Sequence, residues 1–187
     1  MERSVSTCRR CASDNGRVTW TAPTPSPIGG PTTGDERPML EAYLQWQRTT
    51  LLNICAGLSA EQLARRPVPP STLSLLGLVR HLAKVERVWF RQRVARENVP
   101  ALHDGPGSPT DFQEGQIADA PREVETLRHE WQRADDAVAE LPLDHTFTFR
   151  DETWSLRMVY LHVIGEYARH NGHADLIREQ IDGVTSR

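Results

Sequence analysis

The chain has 187 residues and a formal net charge of −3 with its histidines neutral. That length suggests one domain with room for a substantial core and some excess, and the charge leaves no general footprint for nucleic acid or an anionic membrane surface. No apolar run approaches the roughly 20 residues that span a bilayer, no apolar segment follows the N-terminal arginines as a signal peptide requires, and three cysteines build no disulfide framework in a domain this large, so a cytoplasmic protein is expected.

Residues 1–38 are expected to be a disordered or extended N-terminal tail, because Thr19 to Pro38 is rich in Pro, Gly, Thr and Ser and lacks apolar periodicity. Cys8 and Cys11 form one C-x-x-C, but a single pair cannot complete a tetrahedral structural zinc site and reads as incidental. From Arg37 the pattern turns helical. Leu40, Leu44, Leu51, Leu52 and Cys55 form an apolar stripe that stops at Gly57, a C-cap candidate, and Cys55 within that stripe reads as core rather than nucleophile. Ser59 with Gln62 has the spacing of a capping box opening a short helix to Arg65. Pro67, Pro69 and Pro70 then break the chain.

A second long helix is expected from Ser71 or Thr72 to about Arg96, with Leu75, Leu78, Leu82, Val85 and Trp89 on one face. Gly, Pro and Asp mark residues 99–115 as a long loop. Asp119 and Pro121 open a third helix, in which Val124, Leu127, Trp131, Ala134, Val138 and Leu141 step by three and four as bundle packing requires. Phe147 and Phe149 alternate with Thr in a short extended segment that either hairpins or crosses over. Thr153 or Ser155 caps a fourth helix that runs to Ile181 and ends at Gly183. The expected fold is all-α: a four-helix bundle over residues 39–187 with one long crossover loop, Trp46, Trp89 and Trp131 in its core.

The last helix contains HVIGEYARHNGH, which sets His162, Glu166, His170 and His173 at steps of four, four and three. At about 100° per residue these side chains share a stripe roughly 80° wide. Imidazole and carboxylate are the ligands of a borderline divalent ion such as zinc, and bundle cores are where facing helices assemble such sites. His81 is the best third ligand, at the flank of the second helix's stripe one turn after Gly77. A helix-interior Gly costs about 1 kcal/mol relative to Ala, which hints that space is wanted there. On geometry alone, His162 with Glu166, Glu166 with His170, and His170 with His173 are all feasible chelating pairs. Arg169, Asn171, Asp175 and Glu86 fit a supporting role or a solvated face equally, and His103, His129 and His145 sit in loop or exposed helical contexts with no assigned part.

The pairing of RHLAKVERVWF around His81 with EYARHNGHADLIRE near the C-terminus resembles the DinB-like superfamily of bacterial four-helix metalloproteins, which includes the YfiT-type proteins. SLLGLVRHL and YARHNGHADL bring it closest to the actinobacterial branch, and the resemblance covers roughly residues 39 to 183. The single lysine, Lys84, among 22 basic residues suits such a GC-rich source. Members of the superfamily bind a divalent metal, often zinc or nickel, through one His on the second helix and an H-x3-H or E-x3-H pair on the last. Carried across, that implies His81, Glu166 and His170 as ligands, with His162, His173 and Glu86 as supporting or pocket-lining groups. Many members continue with R-G-Q after the final ligand, where this chain has Asn171, Gly172 and His173. Glu166 in place of His makes the site similar to the mycothiol-dependent isomerase variant.

Two His and one carboxylate leave a coordination position open, as catalytic zinc sites do. The resemblance therefore implies a metal-dependent S-transferase that uses mycothiol as thiol cosubstrate and a small electrophile as partner; a homodimer is compatible with it. The alternatives are a metal-dependent hydrolase with Glu86 or His173 as proton shuttle, and a non-catalytic metal-binding stress-response protein. No helix-turn-helix or basic stripe points to DNA. Specificity is expected in the 99–115 loop and the 143–152 crossover.

Overall fold

The computed structural model describes residues 19–24, 26–113 and 117–185. Helix α1, Glu36–Cys55, buries Leu44, Leu51, Leu52 and Cys55, and the gap in that stripe at position 48 is filled by a buried arginine. At Gly57 φ is +77°, the left-handed conformation that costs glycine no Cβ strain. The chain turns there into α2, Ala60–Ala64. Its capping box is reciprocal: the Gln62 N–H donates to Ser59 Oγ at 3.3 Å, and the Ser59 N–H donates to Gln62 Oε1 at 2.9 Å.

Helix α3 starts later than the sequence suggests, at Leu75 with Ser74 as its cap, and runs to Glu86. Ser71 is occupied otherwise, its hydroxyl accepting from the Leu73 N–H at 3.2 Å, which holds a turn instead of a helix start. Beyond Glu86 the rod continues as a π-helix, Arg87–Val94, with the Ala95 N–H reaching Phe90 O, five residues back, at 2.9 Å. The wider turn keeps Trp89 and Arg93 on one face while Val88, Phe90 and Val94 stay buried. The loop expected over 99–115 contains one helical turn, α4 (Thr110–Gln113). A 3₁₀ turn, Ile117–Asp119, then leads into α5, Ala120–Val138.

The segment left open between hairpin and crossover is a hairpin. Strands β1 (Thr146–Phe149) and β2 (Glu152–Ser155) pair antiparallel with Phe147 opposite Trp154. The two tip residues, Arg150 and Asp151, have φ of +52° and +63°, the two positive values that match the twist of a tight hairpin. Ser155 then caps α6, Leu156–Asp182, accepting from the Met158 N–H at 3.2 Å. The long helix α1 lies along α6, and α3 packs on both α5 and α6. The core between them is built from residues such as Leu78, Leu82, Leu127 and Val163. The expected all-α bundle is therefore observed, with the hairpin added at one end, and no helix among the described residues is long and apolar enough to cross a membrane.

Part of the segment ahead of α1 is extended and docked. Ala22 is 4 % exposed and exchanges backbone hydrogen bonds with the α1–α2 corner: its N–H donates to Leu58 O at 2.8 Å and its carbonyl accepts from Gly57 at 3.1 Å. Asn53 fastens Ser26 in the same way, accepting from its N–H at 2.8 Å and donating to its carbonyl at 2.9 Å. Cys8 and Cys11 lie outside the described residues. Trp46, expected in the core, is 46 % exposed and packs on Tyr43 instead, at 5.8 Å between centroids. Trp89 is buried and Trp131 partly so.

Cys55 is fully buried, and that burial pushes its thiol up to about 12. Only the thiolate is nucleophilic, so at neutral pH this group is inert while the bundle is folded. In an iodoacetamide time course read by peptide mass spectrometry, Cys55 is expected to stay unlabelled in buffer and to label fully in denaturant. Labelling of the native protein at the rate of a free thiol would contradict its place in the core.

Candidate metal centre

Two helices supply the cluster. His81 lies on α3; Glu166 and His170 lie one turn apart on α6. Each offers one ligand atom, and the three atoms all lie within 4.8 Å of one another. Glu166 Oε2 and His170 Nε2 are 3.5 Å apart, close to the edge of about 3.4 Å for a tetrahedron with bonds of about 2.1 Å. The His81 and His170 rings meet edge to face at 4.7 Å. By donor type and spacing, then, the three residues the resemblance implies could hold one divalent ion.

His81 is fixed from behind. Its Nδ1 lies 2.8 Å from Asp111 Oδ2, and because a carboxylate only accepts, Nδ1 carries a proton, which leaves Nε2 as the atom that would bind an ion in place of its proton. Lys84 Nζ reaches the same oxygen at 2.7 Å and donates to Ser108 O at 2.8 Å. Burial alone would raise the Asp111 carboxyl, but hydrogen bonds from His81 and Lys84 outweigh it and hold it below its ordinary value. Burial likewise opposes charge on His81, yet Asp111 and Glu166 prevail and its pKa is raised. The Glu166 carboxyl is held well below the usual range by hydrogen bonds from His170 and His81.

Asp111 and Phe112, whose ring stacks on His81 at 4.5 Å, were not singled out from the sequence. They arrive on α4, and their approach explains Gly77: a Cβ there would stand 3.2 Å from Ser74 Oγ and 3.4 Å from the Phe112 Cα. The space hinted at by that glycine is taken by the loop backbone. Arg80 secures the same backbone, donating to Asp111 O at 3.0 Å and Thr110 O at 3.2 Å.

The supporting residues divide. His162 lines the cleft above the cluster, its Nε2 3.7 Å from Glu166 Oε1, and burial lowers its pKa. His173 stands against His170 with the two Nδ1 atoms 3.4 Å apart; burial, then His170, lowers it. Glu86 does neither. It points away into the bundle, 0 % exposed, where Arg48 grips both its oxygens at 2.8 Å, so it is a core ion-pair partner and not part of the pocket. Asn171 is also structural, donating to Gln47 O at 3.0 Å and thereby tying α6 to α1. Arg169 sits 3.7 Å from Glu166 Oε1. His103 is not in an open loop context: its ring lies 3.6 Å from the Glu123 carboxylate, and burial, with Arg80, pushes it down to about 4.

The cluster opens into a cleft of about 380 Å³ bounded by α3, its π-helical extension, the loop at Pro106 and Gly107, the hairpin and α6. Both segments expected to carry specificity therefore reach its walls. Val85, Val88, Trp89, Phe149 and Trp154 form an apolar lining, with His81 and Glu166 exposed to the same space. No curated protein and no solved structure matches the chain. The model of the mycothiol-S-transferase family does, over residues 39–183, a span that includes both helices of the cluster, the α4 loop and the hairpin, and the chain belongs to that family.

Proposed function

We propose that the protein is a divalent-metal-dependent S-transferase that joins mycothiol to a small electrophile, acting in the cytoplasm where the thiol is kept reduced. The observation that carries this reading is the convergence of His81, Glu166 and His170 from two helices to within 4.8 Å at the base of the cleft. Two imidazoles and one carboxylate suit zinc best and nickel also. When bound, such an ion would supply Lewis acidity that lowers the pKa of a coordinated thiol and leaves a position open for it.

The chain's own residues do the rest. Asp111 and Phe112 hold the His81 ring with Nε2 turned to the cluster. His173 braces His170 from the other side. The low pKa of Glu166 keeps it anionic throughout the neutral range. Val85, Val88 and Trp154 exclude water and hold the electrophile's apolar body against the thiol. In the transfer the sulfur forms a bond to the electrophilic carbon, the leaving group departs with its electron pair, and the thiol proton passes to solvent.

Monobromobimane with mycothiol tests this. Zinc-loaded protein is expected to accelerate bimane conjugation, with bromide released, and His81→Ala to lose about 100-fold or more of that rate. Ester or amide hydrolysis without thiol would replace the reading with a hydrolase. Absence of any turnover in protein that retains its metal would replace it with a structural role.

A further inference from the structure

At the hairpin end of the cleft are two arginines, Arg93 and Arg150, both packed on the Phe149 ring. Arg93 packs into the corner formed by two aromatic rings, its Cζ 4.0 Å from the Trp89 ring centroid and 3.8 Å from that of Phe149. Arg150, at the exposed hairpin tip, lies 5.1 Å from the same Phe149 ring. Both line the cleft that contains His81 and Glu166. Elsewhere the cations of α3 and its extension have carboxylate partners: Arg80 with Glu123, Lys84 with Asp111, and Arg87 and Arg91 with Glu130. Among the described residues neither Arg93 nor Arg150 makes an ion pair or a hydrogen bond through its guanidinium.

The Trp89 and Phe149 rings, 5.3 Å apart and inclined at 71° to each other, wrap one side of the Arg93 guanidinium and take none of its N–H donors, whose fork matches the two oxygens of a carboxylate. Burial, and then Arg150, pulls its pKa down to about 10, which still leaves it a cation at neutral pH. The two cations repel, as the lowering of the Arg93 pKa by Arg150 shows, and an anion bound near both relieves that repulsion. The remaining walls are apolar and aromatic, which suits an uncharged body between the anion and the cluster.

We infer that Arg93 and Arg150 form a carboxylate subsite, and that the electrophile taken by this cleft carries a carboxylate at the hairpin end of an apolar or aromatic body. Assigning the anion to an electrophile rests on the S-transferase reading; the subsite itself does not. The probe is 4-chloro-3,5-dinitrobenzoate against its carboxamide, which differ in charge and little in shape. Calorimetric titration of the zinc-loaded full-length chain without thiol is expected to show the carboxylate binding at least tenfold more tightly. Arg150→Gln, at an exposed turn where folding is not at stake, and Arg93→Gln are each expected to bring that ratio close to one, with Arg93→Lys between. A ratio near one in the unmodified protein overturns the proposal. So does a preference that survives in both glutamine variants, since the carboxylate would then be held elsewhere, at the zinc for example. Carboxylate preference without conjugation in the presence of mycothiol would keep the subsite and reject S-transfer; bimane conjugation without that preference would do the reverse.

Discussion

Replacing His170 by alanine is expected to empty the cluster of metal. Purified wild-type protein should carry close to one divalent cation per chain by elemental analysis, and His170→Ala little. The reason is geometric. His170 and Glu166 form the 3.5 Å edge on α6, and without the imidazole only one donor from each helix remains. Two donors do not form the three-ligand set on which open zinc sites are built. The loss should exceed that from Asp111→Asn, which leaves three donors in place and removes only the acceptor that fixes His81, a change that typically costs 10–100-fold in affinity. His170 sits in the bundle with its neighbours already packed, so the variant's helical circular dichroism should match wild type. Equal metal content in wild type and His170→Ala would remove the basis for the proposed function.

How much of this was legible without coordinates differs residue by residue. The cluster was, because a helix repeats itself: steps of four and three put His162, Glu166, His170 and His173 on one face of α6, the bundle setting nominated His81, and the family resemblance chose Glu166 and His170 among the feasible pairs. The caps at Ser59 and Ser155 were legible for a similar reason, since an orphan N–H at a helix start calls for a nearby hydroxyl. Glu86 was misplaced through neglect of the same arithmetic. Five residues after His81 it lies about 140° around the axis, on the side where Arg48 waits. Asp111 had no local signal, because its approach to His81 is decided by a loop path that depends on a missing side chain at Gly77 and on two hydrogen bonds from Arg80. The hairpin arginines were invisible for the opposite reason: what distinguishes Arg93 from the other basic residues is which partners it lacks, and that exists only in three dimensions. Trp46 shows the limit of reading burial from residue type, since an aromatic exposed on a helix flank beside Tyr43 carries no penalty that a periodicity would reveal.

Arg48→Met is expected to destabilise the metal-free protein by about 3–5 kcal/mol in urea unfolding, more than Glu86→Gln. Arg48 is 1 % exposed and satisfied on both sides, with its Nε and Nη2 on Glu86 at 2.8 Å and its Nη1 on both oxygens of Asp135 at 2.9 Å. Burial lifts the Glu86 carboxyl above its ordinary value even with the arginine present. Without it, a fully buried carboxylate keeps only the Tyr167 hydroxyl at 3.0 Å, and must either stay charged in an apolar setting or take up a proton. Glu86→Gln is gentler, because Arg48 keeps Asp135 and an amide can still accept, so about 1–3 kcal/mol is expected. The double variant Arg48→Met with Glu86→Leu removes both charges together and should be more stable than Arg48→Met alone; costs that simply add would mean the pair is not coupled. The consequence reaches the site. Arg48 on α1, Glu86 on α3, Asp135 on α5 and Tyr167 on α6, itself bonded to Trp131 at 2.7 Å, join all four long helices through one polar knot. Tyr167 is the residue after Glu166, and Glu86 lies on the helix that carries His81, so the knot sets the distance across which the three donors converge. Zinc titration of Arg48→Met should therefore show weakened binding even in the fraction that remains folded, whereas an unchanged zinc affinity would mean that α3 and α6 are aligned by apolar packing alone.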